Sequence, residues 1–158
     1  MYGAVHDHVG EADIFIGVAA VSDYRSENIE AEKIKKSGDG LSLDLIQSRD
    51  ILASVAALEE RPFTVGFAAE TEKLREHALA KMKRKRLDMI VANLVGRDKA
   101  FQSDRNAVEV FWPGDMQSLP EADKRSLARG IVELIVQRYE VAQAVETQPK
   151  PPIRVVGD

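Results

Sequence analysis

The stretch RPFTVGFAAETEKLREHALAKMKRKRLDMIVAN, Arg61–Asn93, decides the fold. Phe63–Ala69 is a compact apolar run of strand length, as expected for a strand covered on both faces. The period then changes. Leu74, Ala78 and Met82 recur four residues apart, which is the inner stripe of a helix over Thr71–Arg86 with Thr71 as its candidate cap. Leu87–Asn93 is again a short apolar run. Strand, helix and strand in that order make a βαβ unit, and such units build a mostly parallel sheet with helices on both faces.

Working toward the N-terminus, Asp13–Ala20 (DIFIGVAA) reads as another buried strand, and Met1, Val5 and Val9 mark residues 2–10 as a short amphipathic helix. Ser22–Gly40 is polar, contains the turn signal Gly38-Asp39-Gly40, and reads as a long loop with a helical turn over Glu30–Lys35. Leu41, Leu43 and Leu45 alternate as in a half-buried strand. Ser48 sits where a helix cap belongs, before Ile51, Leu52, Val55 and Leu58 on one helical face.

Toward the C-terminus, Ala107–Trp112 alternates and suggests an antiparallel edge strand. Ser118-Leu119-Pro120-Glu121 combines a capping box with a proline in the first turn. The helix it opens carries Leu127, Ile131, Leu134, Ile135 and Tyr139 on one side. Residues 145–158 hold Pro149, Pro151 and Pro152 without periodicity and read as a flexible tail behind a domain spanning residues 1–144. The chain opens with a helix, whereas a doubly wound nucleotide fold opens with a strand and its phosphate loop, so the first part of the domain is expected to be missing.

Composition narrows the function classes. The chain has 158 residues, with 22 Lys+Arg against 26 Asp+Glu and a net charge of −4. Hydrophobic residues make up 44% and charged residues 30%, a globular balance. No apolar run approaches the roughly 18 residues of a membrane span, and MYGAVHDHVGEAD lacks the regions of a secretory signal. Mild acidity argues against a surface devoted to nucleic acid. The absence of cysteine removes disulfides, thiolate metal sites and thiol nucleophiles. The expected partners therefore include neither membrane nor nucleic acid, and the expected setting is the cytoplasm. The usual phosphate-loop, dinucleotide, hydrolase-elbow and zinc-protease motifs are absent.

Several places could still carry chemistry. His6 and His8 are two apart, so on a helix they do not share a face and read better as surface histidines than as a metal pair. His77 reads as a partly buried or solvated helical residue. Lys81-Met82-Lys83-Arg84-Lys85-Arg86 complements a helix C-terminus and needs no further role. Lys81 and Lys85, four apart, nevertheless share one face and suit an anion with several oxygens, such as a polyphosphate. Small residues after the first strand (Ala19, Ala20) let a flat ring approach the backbone, and Asp23 can accept from a ribose hydroxyl or hold a cation; an ordinary strand-end loop is the bland alternative. Phe67, Ala68 and Ala69 repeat the pattern as a slot for a base. Lys33, Lys35 and Lys36 lie in the long loop, which is either a functional lid or a solvated segment.

AAVSDYR (Ala19–Arg25), EKIKK (Glu32–Lys36), RPFTVGFAAET (Arg61–Thr71), KRLDMIVAN (Lys85–Asn93) and F-x-S-D-x-N (Phe101–Asn106) occur in this order. Over residues 1–142 the chain thereby resembles phosphopantothenate–cysteine ligase, the module bacteria commonly fuse behind a flavin-dependent decarboxylase. The resemblance implies a Rossmann-like α/β fold and a homodimer. It also implies a two-step reaction: 4′-phosphopantothenate attacks the α-phosphate of CTP with Mg2+ assisting, and cysteine then attacks the acyl-cytidylate. It further implies that Gly17, Val18, Ala19, Asp23, Arg49, Asp50, Ile51, Leu52, Phe67, Lys81 and Lys85 bind CTP. Lys33, on a mobile flap, is implied to act in catalysis as well as in CTP binding. Complete members begin with a G-G-T strand and an Asn-bearing I-S-N-x-S-S-G segment, neither of which is present. An unpaired sheet edge and weak activity of the isolated chain are expected, and a non-catalytic nucleotide-binding or dimerising fragment is the rival reading.

Overall fold

The computed structural model describes residues 1–30, 32–35, 40–94 and 105–146. In chain order the elements are α1 (Tyr2–His6), β1 (Ile14–Gly17), β2 (Tyr24–Ser26), β3 (Leu45–Gln47), α2 (Ile51–Val55), β4 (Phe63–Glu70) and α3 (Leu74–Lys85). They continue with β5 (Met89–Leu94), β6 (Arg105–Trp112), β7 (Asp115–Asp123) and α4 (Lys124–Glu146).

The βαβ unit read from Arg61–Asn93 is the centre of the molecule. β4 pairs in parallel with β5, Val65 opposite Met89 and Phe67 opposite Val91. β1 pairs in parallel on the other side of β4, placing Gly17 opposite Gly66. The sheet order is β1-β4-β5-β6-β7. β6 runs against β5 and β7 against β6. β7 therefore points with β5, and four of the five strands share a direction, as the α/β reading requires.

Alternation along the central strands builds two cores. Val65, Met89, Val91, Val108 and Val110 face α4, which contributes Leu127, Ile131, Leu134 and Ile135. Ala68, Ile90, Ala92 and Phe111 face the opposite way and pack with Ala78 of α3 and with Leu52 of α2. At about 25 cal/mol per Å2 of apolar surface, these two faces dominate the folding energy. Gly66 leaves room for Leu52 of α2 and for Leu87 against the sheet. A β-carbon built there would lie 2.7 Å from Leu87 Cδ1 and 2.9 Å from Leu52 Cδ2, so only glycine fits without displacing both leucines.

At the other end of the parallel strands, Asp88 accepts from Arg61 Nη1 and Nη2 at 2.6 and 2.7 Å and from the Thr64 amide at 2.7 Å. This bidentate clamp joins the starts of β4 and β5, and its geometry favours the strong form of an arginine–carboxylate pair.

Several expectations are corrected. Ser118–Glu121 opens no helix: these residues lie in β7, a strand with β6 as its one neighbour among the described residues. Pro120 is tolerated there because an edge strand does not need every amide. Glu121 pairs with Arg105 at 3.0 Å and does not reach back to cap a helix. Helix α4 starts at Lys124, where Asp123 Oδ1 accepts from the amides of Arg125 and Ser126. The Ser126 side chain first, and then the Ser126 and Arg125 amides, hold the Asp123 carboxyl below its ordinary value. Consequently β6 is antiparallel as expected but internal, and a hairpin through Gly114, at φ +88°, carries the chain into β7.

Asp50, not Ser48, caps α2, because the Ser48 amide is still bonded to Asp23 O at 2.8 Å. Lys73, not Thr71, is the N-terminal cap position of α3, because β4 runs on to Glu70. The strand expected at Leu41–Ile46 is shorter and later. β3 pairs with β2 in a separate two-stranded sheet, and Leu41, Leu43 and Leu45 are exposed. Residues 30 and 32–35 form no helical turn; all are exposed, with no packing to offset the cost of nucleating one. Helix α4 continues to Glu146, two residues past the expected domain boundary, and residues 147–158 of the expected tail lie outside the described residues. The same holds for Lys36 and Phe101–Asp104.

Candidate functional site

In an open α/β sheet, ligands gather beyond the carboxyl ends of the parallel strands. Here the candidate residues instead form a rim around the end of β1, the middle of β4 at Phe67, the start of α2 and the last turns of α3, which lead into the amino end of β5. Gly17 ends β1, and Val18 and Ala19 follow it as exposed residues. Gly17 is also tight, since a β-carbon there would lie 3.0 Å from Leu52 Cδ1. Leu52 therefore abuts both Gly17 and Gly66 and seats α2 across the β1–β4 pair. Ile51, the first residue of α2, is half-buried.

Lys81 and Lys85 lie on one face of α3, and both are tethered. Lys81 Nζ donates to the Phe67 carbonyl at 2.8 Å. Lys85 Nζ lies 2.8 Å from Asp50 Oδ2, while Asp50 Oδ1 accepts from the Ala53 amide at 3.0 Å. Lys81, Lys85, Phe67, Asp50, Leu52 and Gly17 thus form one connected patch. Burial lowers the Lys81 ammonium below its ordinary pKa; Lys85 and Arg84 add to the effect, partly opposed by Glu70 and Asp50. Burial pushes the Asp50 carboxyl up, but the bonds from Lys85 and Ala53, with the charges of Lys85 and Arg84, outweigh it. The net shift is downward.

The remaining expected residues stand around this patch. Asp23 is exposed and is linked to it through its carbonyl, which accepts from Ser48. Arg49 is exposed beside Asp50, with its guanidinium carbon 4.9 Å from the Tyr2 ring centroid. Lys33 is exposed in irregular chain between β2 and β3, and among the described residues no contact ties it to the patch. The Phe67 ring does not form the expected slot for a base. It packs on the core under α4, and its carbonyl is what faces Lys81.

One pair escaped the sequence. His77 Nδ1 lies 3.1 Å from Glu70 Oε2, one turn before Lys81 on the same face. The spacing of 77, 81 and 85 was visible; the partner at the end of β4 was not. In the His6–His8 pair, His6 Nε2 meets Ser54 Oγ at 2.9 Å. Among the described residues no three His, Cys, Asp or Glu side chains converge to hold a metal ion, and no helix is long and apolar enough to cross a membrane.

Two hollows lie away from the patch. One of about 680 Å3 is bounded by Lys73, Leu74, Leu79, Leu94, Glu109 and Met116. Another of about 320 Å3 lies beside the Arg61–Asp88 clamp. Neither is lined by Ala19, Lys81 or Lys85.

Comparison with known proteins places the chain in a family. The chain is 44% identical over 141 residues to the coenzyme A biosynthesis bifunctional protein CoaBC of Haemophilus influenzae, covering 89% of this chain and 35% of that protein. It is 44% identical over 145 residues to the Escherichia coli protein of the same name, covering 89% and 36%. It thus spans about a third of the length of these relatives. The crystal structure of the C-terminal domain of a CoaBC protein superposes with a TM-score of 0.69 at 30% identity, covering 88% of this chain and 61% of that domain. The family model that matches, over residues 1–139, takes in the strand ends, the start of α2 and all of α3. The chain belongs to the family described as the DNA/pantothenate metabolism flavoprotein C-terminal domain.

Proposed function

We propose that this chain carries the nucleotide-binding part of a CTP-dependent ligase that joins 4′-phosphopantothenate to cysteine in coenzyme A biosynthesis. The observation that supports this most is the tethered pair Lys81–Phe67 O and Lys85–Asp50 on one face of α3. Two ammonium groups fixed on one helical face are preorganised for a triphosphate. In the proposed reaction the phosphopantothenate carboxylate attacks the α-phosphate, forming the acyl-cytidylate and releasing pyrophosphate. The cysteine amine then attacks the acyl carbon and releases CMP. Lys33, carried on the chain between β2 and β3, supplies the cation for the charge that develops on the α-phosphate.

Magnesium enters this proposal with the triphosphate. The described residues offer no converging set of ligands for it, so no step is routed through a protein-bound ion. A homodimer is also proposed. Tyr24, Ile29, Leu41, Leu43 and Leu45 leave an apolar surface on and around the β2–β3 arm, between 56% and 85% exposed, which fits a partner better than water. In the complete protein a flavin-dependent decarboxylase is proposed to precede this module.

The test is a CTP titration. The chain should bind CTP, and Lys85→Ala should weaken binding about tenfold or more, the loss of one charged hydrogen bond. Unchanged affinity in Lys85→Ala sinks the assignment. In the complete enzyme, CTP with phosphopantothenate should release pyrophosphate before cysteine is added. Nucleotide binding without that release favours the rival reading of a non-catalytic fragment.

A further inference from the structure

We propose that Tyr2 is a positioning residue that steadies the Arg49 guanidinium at the edge of the rim, which makes α1 part of the nucleotide site; this rests on the CTP-binding reading above. The Arg49 guanidinium carbon lies 4.9 Å from the Tyr2 ring centroid, inside the roughly 6 Å at which a cation gains from a ring face. The same ring stacks on His6, one helical turn on, with centroids 4.4 Å apart and planes tilted by 31°. His6 Nε2 meets Ser54 Oγ at 2.9 Å, and Ser54 in turn donates to the Ile51 carbonyl at 2.8 Å. Arginine, tyrosine and histidine thus form a column rooted in the first turn of α2.

The position of the column gives it a purpose. Arg49 directly precedes Asp50, whose carboxylate holds Lys85. A guanidinium held over a ring by its charge does not use up its N–H donors, which stay available to an anion. An exposed arginine otherwise loses rotamer freedom when it grips a phosphate, and a ring that already restrains it reduces that loss. Docking of α1 does not itself require the stack, since Val9, at 5% exposure, anchors the chain just after it.

The test is a double-mutant cycle read by CTP titration of the full chain. Arg49→Ala should weaken CTP binding about tenfold or more. Tyr2→Ala should weaken it about two- to fivefold, the size of an exposed cation–π contact, and Tyr2→Phe should restore the wild-type value. With Arg49 already replaced by alanine, Tyr2→Ala should add nothing. Equal weakening by Tyr2→Ala with and without Arg49 means that the ring acts by general packing, and it overturns the proposal. So does a sensitive Arg49 with an indifferent Tyr2. An indifferent Arg49, or no CTP binding by the wild type, instead overturns the underlying reading of the site.

Discussion

Lys85 Nζ sits 2.8 Å from Asp50 Oδ2, so one ion pair joins the last turn of α3 to the cap of α2. The pair links two segments 35 positions apart in sequence, and it keeps a proposed phosphate ligand engaged while no anion is present. Asp50 has two duties that can be separated. Asparagine caps a helix about as well as aspartate, so Asp50→Asn removes the charge and keeps the cap.

The acid limb of stability should report that charge. The Asp50 carboxyl is held below its ordinary value of 3.8 in the folded chain. A depressed folded pKa contributes stability that is present above the unfolded pKa and lost as pH falls through the folded one. Urea midpoints measured between pH 6 and about pH 2 should fall as pH drops below the ordinary carboxylate value. Asp50→Asn should start lower at pH 6 and fall less. Parallel curves for the two proteins would show that the ion pair contributes nothing to folding.

Lys81 should behave in the opposite sense. Its ammonium is lowered from 10.5, by burial first, so keeping it charged at neutral pH costs folding stability, and that cost fades as pH rises through the lowered folded value and is gone above the unfolded one. Lys81→Met preserves the length of the side chain and removes the desolvated charge. It should raise the urea midpoint at pH 7 and weaken CTP binding about tenfold or more. A lower midpoint would mean that the bond to the Phe67 carbonyl outweighs the burial of the charge.

These two lysines also show where sequence reading stops. Their spacing places them on one face of α3, because a four-residue step is a local property. Their tethers, Phe67 O and Asp50, are 14 and 35 positions away, and no local rule finds them. The βαβ unit was legible because apolar runs and a four-residue stripe follow one another without ambiguity. β7 was not, because Ser118-Leu119-Pro120-Glu121 imitates a capping box while its leucine faces α4 from a strand. Pro113-Gly114 just before it was the signal to weigh: a proline–glycine pair marks a turn, and a turn after an alternating run makes a hairpin. The β2–β3 arm was misread for a different reason. Alternating leucines imply a buried face only where a core lies beneath them, and here none does.

Gly66 tests the seating of α2. Alanine there brings a methyl group to 2.7 Å from Leu87 Cδ1 and 2.9 Å from Leu52 Cδ2, and overpacking of this kind costs about 1–3 kcal/mol. Gly66→Ala should lower stability by that amount and, by moving Leu52, also weaken CTP binding. Gly17→Ala should cost less, since Leu52 Cδ1, at 3.0 Å, has to yield by only a few tenths of an ångström. Equal urea midpoints for wild type and Gly66→Ala would mean that the leucines repack freely and that α2 is not fixed by this contact.

Lys33 separates catalysis from binding. It is exposed, in contrast to the tethered Lys81 and Lys85, so under the proposed reaction its contribution is expected in the transition state and not in the resting chain. An interaction made chiefly in the transition state lowers kcat and leaves ground-state affinity little changed. In the complete enzyme, Lys33→Ala should lower the rate of pyrophosphate release from CTP and phosphopantothenate by about 3–4 kcal/mol, the size of losing one preorganised donor. CTP affinity should shift by less than a few-fold. A rate within twofold of wild type removes Lys33 from the chemistry. A large loss of affinity with an unchanged rate makes it a binding residue like Lys85.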